Sequence, residues 1–358
     1  MVVLWPLYGA TVQQYRRYIM VININDHEVT NDDGFQGTVV LSDTNETGTD
    51  KVNNVVVLEQ SSYDALTPNS TTLYFIKPPS GLAWEMLLVA GGGGSQSEYY
   101  HLAAGDDDSL TQTTPTSGGG GGGGLKTTSG TTASGSSLYL TVGAGGAASA
   151  TSTSLGGDTY YSLTSGGAAV VTASGGGSGS DSDGVTRDGG SGGGGGGQTS
   201  VDTAGGSGSA GEGNDGGNGR NGSGSVPAAG GGGGYSSAGS NSPSNGTGGA
   251  GGSGYDLATF IGGSSTYLSW GGGGGGASTF GNNGDPNNTT ISNAPANTGG
   301  GARGQVFTNG ATGGSGRIVI RYPGTVAQAT GGTISYVTVS STDYVVHTFT
   351  GAGTFTVS

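Results

Sequence analysis

The chain has 358 residues, of which 84 are glycine, and its formal net charge is −14. It contains no cysteine, which excludes a disulfide framework and thiolate metal sites, and its ten basic against 24 acidic residues argue against binding to a nucleic-acid backbone. Leucine, isoleucine, valine and phenylalanine are scarce for a protein of this length, so an ordinary aliphatic core is disfavoured.

Residues 1–81 hold short β-branched runs that are separated by polar turn clusters. The runs lie at residues 19–24, 38–41, 54–58 and 72–76. Runs of this length between clusters of Asn, Asp and Gly are typical of strands. We interpret residues 1–81 as a β-rich N-terminal region with almost no helix.

Residues 82–323 form a glycine-rich region. It opens with the apolar run 82–89, which has the length of a strand and leads directly into glycines. Polar segments of irregular length separate the glycine runs, so the pattern is not that of a solenoid repeat. The main glycine runs are residues 91–94, 118–124, 175–177, 192–197, 230–234, 271–276 and 299–301.

Two interpretations of these glycine runs are open. A flexible tether is the usual one for Gly/Ser-rich sequence. The other is an ordered bundle of threefold extended helices, because that conformation leaves every N–H and C=O pointing outward, and glycine has no Cβ to keep neighbours apart. Charged residues make up only 9% of the chain, which is low for a disordered protein. The fold that we expect is therefore mostly β with a glycine-rich polyglycine II helix bundle, negligible α-helix and an elongated shape.

Residues 324–358 are predicted to form a C-terminal β-meander. The segments 334–340, 344–350 and 354–357 have strand character, and the turns between them have the length of hairpin turns. A few strands with one apolar face are only marginally stable alone, so we expect this region to pack on a partner surface.

No motif for catalysis, metal binding or a cofactor stands out. Polyglycine produces many GxGxxG matches, but none lies between a strand and a helix. The acidic triplet at 106–108 is of a kind that is usually solvated, and His27, His101 and His347 lack the spacing of a zinc site. No apolar stretch reaches the length of a membrane span. We expect a protein with no catalytic residues, no metal, no cofactor and no membrane insertion.

Aromatic residues in the polar segments are the binding candidates. Tyrosine and tryptophan among serine, glycine and asparagine provide large rigid contacts with adaptable hydrogen bonding around them. The alternative is that these rings cap the glycine core or fill a subunit interface. The candidates are Tyr99, Tyr100, His101, Tyr235, Tyr255, Tyr267 and Trp270.

Several segments of the chain resemble the glycine-rich domain of bacteriophage tail-fibre and adhesin proteins, a domain that is frequent among marine and cyanobacterial phages. They are residues 87–94 (LLVAGGGG), 138–146 (LYLTVGAGG), 314–323 (GSGRIVIRYP) and 347–355 (HTFTGAGTF). This resemblance covers residues 82–358. Separately, residues 57–66 (VLEQSSYDAL) with 72–76 (TLYFI) are similar to a segment that recurs in phage tail and baseplate fibres.

The resemblance implies a non-enzymatic tail appendage of a virion, usually trimeric, that binds a receptor on the host cell. Residues 1–81 would be the virion-attachment region that contacts other tail or baseplate proteins. The loops at residues 96–117, 235–270 and 277–298 would contact a polysaccharide or an outer-membrane protein of the host. The protein would be assembled in the host cytoplasm and located in the virion.

Two other roles stay open at this stage. A purely structural particle protein, such as a head fibre, a cement protein or an extracellular filament subunit, would need no receptor. A spike that degrades carbohydrate would need a pair of acids, whose separation is spatial and is not readable from sequence. Neither role involves nucleic acid.

Overall fold

The computed structural model describes two compact units, Met1–Ser80 and Gly81–Ser358. In the first, it describes only the backbone of four short strands. In the second, it describes residues 81–96, 116–149, 154–179, 188–197, 202–221, 227–306 and 310–358. Each unit is described by itself below.

The N-terminal unit contains two strand pairs. Strands β1 (Ile22–Ile24) and β2 (His27–Val29) are antiparallel, whereas β3 (Asn54–Glu59) and β4 (Thr72–Lys77) are parallel. Three of the predicted β-branched runs therefore coincide with strands, since β-branched side chains fit the pleated surface well. The fourth, at residues 38–41, lies outside the described residues.

The C-terminal unit is built from two five-stranded antiparallel sheets. The strands of this unit are β5 (Leu82–Val89), β6 (Leu125–Thr132), β7 (Ser137–Thr141), β8 (Thr159–Ser162), β9 (Ala169–Ala173), β10 (Tyr255–Asp256), β11 (Tyr267–Leu268), β12 (Arg317–Pro323), β13 (Ala329–Thr330), β14 (Thr333–Val339), β15 (Thr342–Phe349) and β16 (Gly353–Val357). The first sheet has the order β14-β15-β12-β5-β6 and the second has the order β13-β16-β7-β8-β9, while β10 and β11 form a separate pair. A single helical turn, α1 (Ala258–Ile261), accompanies them.

The two sheets face each other across an aliphatic and aromatic core. Trp84 and Met86 from β5 point into it with Tyr322 from β12, and Phe355 from β16 lies opposite. The Trp84 ring contacts Tyr161 edge-to-face, with ring centroids 5.9 Å apart. Alternate residues of β5 are exposed near its start, as expected for a strand with one covered face. In the described residues, the larger of the two apolar clusters therefore lies between the two sheets.

The other face of the first sheet is also covered. Leu87 and Val89 of β5 pack against Leu257, Phe260 and Leu268, which belong to the segment that contains α1 and β11. Double coverage explains why the last four residues of β5 are all buried.

The C-terminal strands follow the sequence expectation except at the end. Strands β14 and β15 form a hairpin whose two turn residues, Ser340 and Ser341, have φ of 49° and 67°. This matches a two-residue turn of the kind that suits hairpins. The last strand, β16, does not pair with β15 as a meander requires. It crosses to the second sheet and pairs with β7, because there Phe355 and Val357 are buried between the sheets.

His347 is a fully buried histidine in this sandwich. Its Nδ1 lies 2.7 Å from the carbonyl oxygen of Gly331, so Nδ1 carries the proton. Its Nε2 lies 3.1 Å from the hydroxyl of Tyr322, and that hydroxyl already accepts the N–H of Gln328. Burial favours the neutral imidazole, whose unprotonated Nε2 accepts a hydrogen bond from the Tyr322 hydroxyl. Burial lowers the pKa of His347, while the bond to Gly331 opposes that shift.

This histidine predicts a loss of stability on mild acidification. The unfolded chain binds a proton at His347 near pH 6.5 and the folded chain resists it. Its contribution to the free energy of unfolding is therefore complete above about pH 6.5 and falls as the pH drops towards the lowered folded pKa. Urea unfolding between pH 8 and 5 is expected to show this decline, and a smaller one for His347→Phe. Equal declines for both proteins would contradict it.

The glycine runs continue the sheet strands. Residues 91–94 follow β5, residues 118–124 lead into β6, and residues 175–177 follow β9 after one serine. The described backbone N–H hydrogen bonds of these three runs go to other segments of the chain rather than along the run. The strands therefore anchor one end of each of these runs.

The hydrogen bonds made by residues 90–95 return to the same neighbour every third residue. The N–H groups of Ala90 and Gly93 bond to the carbonyls of Gly124 and Gly121, at 2.9 and 2.8 Å. The N–H groups at 91 and 94 bond to residues 157 and 154, and those at 92 and 95 bond to residues 314 and 311. Successive amides thus point in three directions around the segment.

The run at residues 116–124 lies at the centre of the glycine region. The N–H groups of residues 117 and 119–124 bond to three segments, near residues 230–233, 299–305 and 174–177. The carbonyls of the run accept from three others, near residues 90–93, 191–197 and 272–275. Most peptide groups of this run are therefore satisfied by neighbouring backbone, and the carbonyl of Gly123 accepts from the hydroxyl of Ser269.

Close approach between these segments explains why the runs are glycine. A Cβ on Gly120 would collide with the carbonyl group of Gly93 and would lie 3.0 Å from the nitrogen of Ala302. The same holds at residues 118–123, where the atom nearest to an added Cβ belongs to backbone rather than to a movable side chain. The low aliphatic content of the chain is thus matched by a region that is packed through its backbone.

Candidate receptor-binding loops

The structure describes four of the seven aromatic and histidine candidates. Tyr99, Tyr100 and His101 lie outside the described residues, as does most of the loop at 96–117. The loops at 235–270 and 277–298 are described throughout. The candidates Tyr235, Tyr255, Tyr267 and Trp270 all belong to the first of these loops.

Trp270 is fully buried, so its ring is not part of the contact surface of the folded chain. The ring lies directly against Gly300, where a side chain would collide with it. The backbone carbonyl of Trp270 accepts the N–H of Gly301 at 2.7 Å. The sequence placed this tryptophan in an exposed polar loop because serine and glycine surround it. In the structure, the ring fills the space beside a glycine run. This agrees with the alternative interpretation, in which the aromatic rings cap the glycine core.

Tyr235 and Tyr255 pack against each other. Their ring centroids are 5.6 Å apart and the rings are perpendicular. Both are half-buried, and both flank the cluster that covers the first sheet. Burial and the neighbouring Tyr235 raise the pKa of the Tyr255 hydroxyl. The structure thus brings these two candidates together, and their rings anchor the loop.

Asp256 holds the tip of this loop. Its carboxylate accepts hydrogen bonds from the Ser265 hydroxyl at 2.7 Å and from the N–H groups of Ala258 and Thr266 at 3.0 and 3.1 Å. The bond from Ser265 is the main reason that the pKa of Asp256 is lowered. The half-buried Tyr267 lies opposite Asp256 in the β10–β11 pair. These three hydrogen bonds to Asp256 hold the exposed residues 263–266 at the tip of the loop.

A cation–π cluster under the same loop was not anticipated from sequence. The guanidinium carbon of Arg321 lies 4.3 Å from the ring centroid of Phe260 and 4.5 Å from that of Tyr344. Its Nε donates to Glu85 at 2.6 Å. Residues 85 and 321 face each other in the β5–β12 pair. Strand register brings these residues together across more than 200 positions, which no local pattern encodes.

Asn283 fixes the second loop to the glycine region. This buried side chain accepts the N–H of Gly273 at 3.0 Å. Its amide nitrogen donates to the carbonyls of Asn288 and Ile291, at 2.9 and 2.8 Å. One side chain therefore closes the loop and ties it to the run at 271–276.

Changing Asn283 to aspartate is expected to release this loop. A carboxylate would face two carbonyl oxygens with no proton to donate, and the charge would be buried. We expect a loss of about 3 kcal/mol or more in the free energy of unfolding, together with faster proteolysis between residues 285 and 293. Asn282→Asp is the matched control because Asn282 is exposed. Equal stability of the two variants would contradict the assignment.

Arg303 supports the same loop from the other side. Its Nε donates to the carbonyl of Gly281 at 3.0 Å, and one terminal nitrogen donates to the carbonyl of Thr290 at 2.9 Å. Its guanidinium carbon lies 4.8 Å from the ring centroid of Phe280. Burial lowers the pKa of Arg303. The polar loop at 277–298 is therefore held by side chains that point inward.

A family model described as a glycine-rich domain matches residues 67–323 of the chain. The chain belongs to this glycine-rich domain family. No curated protein and no solved structure matches it. The match ends at the last residue of β12, so β13 to β16 lie beyond the matched range of the glycine-rich domain.

Asparagine and aspartate side chains bond to the outward amides at the rim of the glycine-rich domain. The N–H of Gly205 bonds to Oδ1 of Asn218 at 3.0 Å, and the N–H of Asn218 bonds to Oδ1 of Asn241 at 2.7 Å. A side-chain oxygen here replaces the backbone carbonyl that a further segment would supply. Asp158, Asp188 and Asp215 do the same for the amides of Gly175, Ser207 and Gly208.

The exposed residues of the two described loops are small and mostly polar. They include residues 236–238, 263–266, 277–279 and 286–287, which are mainly serine, threonine and asparagine. Among the described residues, no group of three or more His, Asp or Glu side chains is arranged to hold a metal ion. No helix in the described part of the chain is long and apolar enough to cross a membrane. The chemistry that this surface offers a ligand is uncharged hydrogen bonding from hydroxyl and amide groups.

Proposed function

We propose that this protein is a non-enzymatic attachment protein of a bacteriophage particle. In this role, the glycine-rich domain is a rigid scaffold and its polar loops contact a host receptor. The observation that carries the proposal is that both described loops are tied to the glycine region by buried side chains, Trp270 in one and Asn283 in the other. A surface that is fixed in this way can bind without paying for ordering of the loop.

The scaffold itself is proposed to be a bundle of polyglycine II helices. The support is the threefold repeat of hydrogen-bond directions at residues 90–95 and the two sets of three neighbours around residues 116–124. A polyglycine II helix has three residues per turn and no internal hydrogen bonds, so each N–H bonds to a different neighbour before the pattern repeats.

The phage assignment depends on the tail-fibre resemblance of residues 82–358 and of residues 57–66 with 72–76. On that basis, residues 1–81 join tail or baseplate proteins, and the protein is a trimer in the virion tail. The receptor class that best fits the exposed loops is a polysaccharide, because sugar hydroxyls exchange hydrogen bonds with serine, threonine and asparagine.

Cell binding by the full-length chain tests this proposal. Labelled protein is expected to bind saturably to at least one strain in a panel of marine bacteria and cyanobacteria, and to compete with phage adsorption there. The variant Ser264→Ala/Asn287→Ala is expected to weaken binding at an unchanged melting temperature. The control Ser134→Ala, at an exposed position of the β6–β7 turn, is expected to bind normally. Absence of saturable binding across the panel would overturn receptor binding.

A purely structural particle protein is the second candidate. One observation favours it: Trp270 is buried, and Tyr235 and Tyr255 pack against each other. These rings therefore hold the loop in place. Immunogold labelling of virions separates the two candidates when it is combined with the adsorption assay. Label on the particle without competition for adsorption would favour the structural role.

A further inference from the structure

Strand β14 forms an open edge of the sandwich. It is the outer strand of the first sheet and pairs with β15 alone. The corresponding strand of the second sheet, β13, has only two residues. On the opposite side of the sandwich, the outer strands β6 and β9 lie next to each other. The two residues of β13 cannot cover the seven of β14. The last residues of β14 instead lie near the end of α1, where a Cβ on Gly262 would be 3.4 Å from Cγ2 of Val339 and 3.5 Å from the carbonyl oxygen of Thr338.

The hairpin turn determines which backbone groups face this edge. In a two-residue hairpin, the pair that flanks the turn, here Val339 and Thr342, exchanges hydrogen bonds, and the pairs then alternate. The N–H and C=O groups of Ile334, Tyr336 and Thr338 consequently point away from β15. Within the described residues, no segment bonds to these outward backbone groups.

The edge lacks the features that usually prevent strand addition. Strand β14 carries no charged residue, no proline and no bulge in its pairing with β15. Ile334 and Tyr336 are 39% and 59% exposed, and both belong to the face of the first sheet that carries Val345 and His347. In natural proteins, an edge strand of this length that stays unpaired usually carries a charge, a proline or a bulge, or is covered by another segment.

We propose that β14 pairs with β14 of a second copy of this chain, antiparallel about a twofold axis at Tyr336. In this register, Tyr336 lies opposite itself and Ile334 lies opposite Thr338. These are the three residues whose backbone groups point outward, so each finds its partner in the copy. Residues 334, 336 and 338 share one face, and the exposed apolar stripe becomes continuous across the axis.

Charge favours a second copy over an acidic or basic partner. The whole chain carries a net charge of −14, which opposes self-association through most surfaces. Strand β14 is uncharged, and Thr338 donates to the neighbouring carboxylate of Asp343 at 2.7 Å. An isologous pair places neutral residues opposite neutral residues along its whole length. This pairing does not depend on what the loops bind.

Sedimentation of the full-length chain tests the pairing. A twofold contact cannot build the trimer proposed above, so a concentration-dependent doubling of mass is expected, from one chain to two or from one trimer to two. Ile334→Lys/Tyr336→Lys is expected to raise the dissociation constant of this association at least tenfold. Leu163→Lys is the matched control, because Leu163 is 63% exposed and belongs to the second sheet's β8–β9 connection. A monomer at all concentrations, or an oligomer that both variants leave unchanged, would overturn the proposal.

A single cysteine gives a second measurement that does not depend on the lysine variants folding. The chain contains no cysteine, so Tyr336→Cys introduces the only thiol. Directly opposite residues of a hydrogen-bonded antiparallel pair have Cα atoms about 5.5 Å apart, within the range that a disulfide spans. Tyr336→Cys is expected to cross-link at least tenfold faster than Leu163→Cys under mild oxidation. Equal rates would overturn the proposed register.

Discussion

Replacing Gly120 by alanine is expected to destabilise the C-terminal unit by about 3 kcal/mol or more. The added Cβ would collide with the carbonyl group of Gly93, and the nitrogen of Ala302 would be 3.0 Å away. Both neighbours are backbone atoms that are already held by hydrogen bonds of their own. They are not free to move as a side chain would be, so the cost is expected at or above the upper part of the usual overpacking range of about 1–3 kcal/mol.

The matched control for this change is Gly351→Ala. A Cβ at Gly351 would have no heavy atom within 4 Å. The chemical change is the same, and the unfolded chain is affected in the same way. Urea unfolding of the full-length variants is expected to show a large loss for Gly120→Ala and almost none for Gly351→Ala. Similar stability of the two variants would mean that the glycine run is not closely packed.

Replacing Trp270 by alanine is expected to cost about 3–5 kcal/mol of stability, because it empties a fully buried site of its largest side chain. The ring fills the space beside Gly300, and the backbone of residue 270 bonds to Gly301. Loss of the ring would loosen the contact between the loop at 235–270 and the run at 299–301. Binding would then fall together with the melting temperature.

Trp270→Phe is the control that separates packing from recognition. The indole Nε1 of Trp270 is buried without a hydrogen-bond partner in the described part of the chain. Phenylalanine keeps most of the apolar volume and removes this unsatisfied donor, so its cost is expected to stay below about 1.5 kcal/mol. A receptor-binding tryptophan would behave differently. Unchanged melting temperature with lost cell binding in Trp270→Ala would contradict the burial assigned here.

Strand positions were the most predictable part of the fold. The apolar run at 82–89 and the segments of the β14–β15 hairpin became strands at or near their expected residues. The period and length of an apolar run are local properties, and they are preserved when the chain folds. The crossing of β16 to the second sheet was not predictable in this way, because its driving force is the burial of Phe355 and Val357 against residues distant in sequence.

The segments to which each glycine run bonds could not be predicted from the sequence. Every glycine offers the same N–H and C=O, so nothing local says that Gly93 bonds to Gly121 and Gly94 to Ser154. The direction of the aromatic side chains was also hidden. Tyr235 and Trp270 lie in serine- and glycine-rich surroundings that are typical of exposed loops, and the backbone packing that buries the tryptophan has no apolar signature.

Asparagine and aspartate carried more information than their usual solvated role suggests. Asn218, Asp215 and Asn283 each accept a backbone N–H at a place where no neighbouring carbonyl reaches it. A glycine segment with outward amides needs such acceptors at the rim of the domain. Isolated Asn and Asp residues between short glycine stretches, as at residues 214–221, are the signal that could have identified them.

Amide hydrogen exchange along residues 119–123 tests the central claim most directly. Each of these amides is buried and bonds to a carbonyl of another segment at 2.8–3.1 Å. If the glycine run is part of a hydrogen-bonded core, its amides exchange only through large-scale unfolding, about 10³-fold or more slower than in the free chain. The exposed residues 263–265 provide the fast reference within the same molecule. Exchange of residues 119–123 at the rate of that reference would contradict a backbone-packed core.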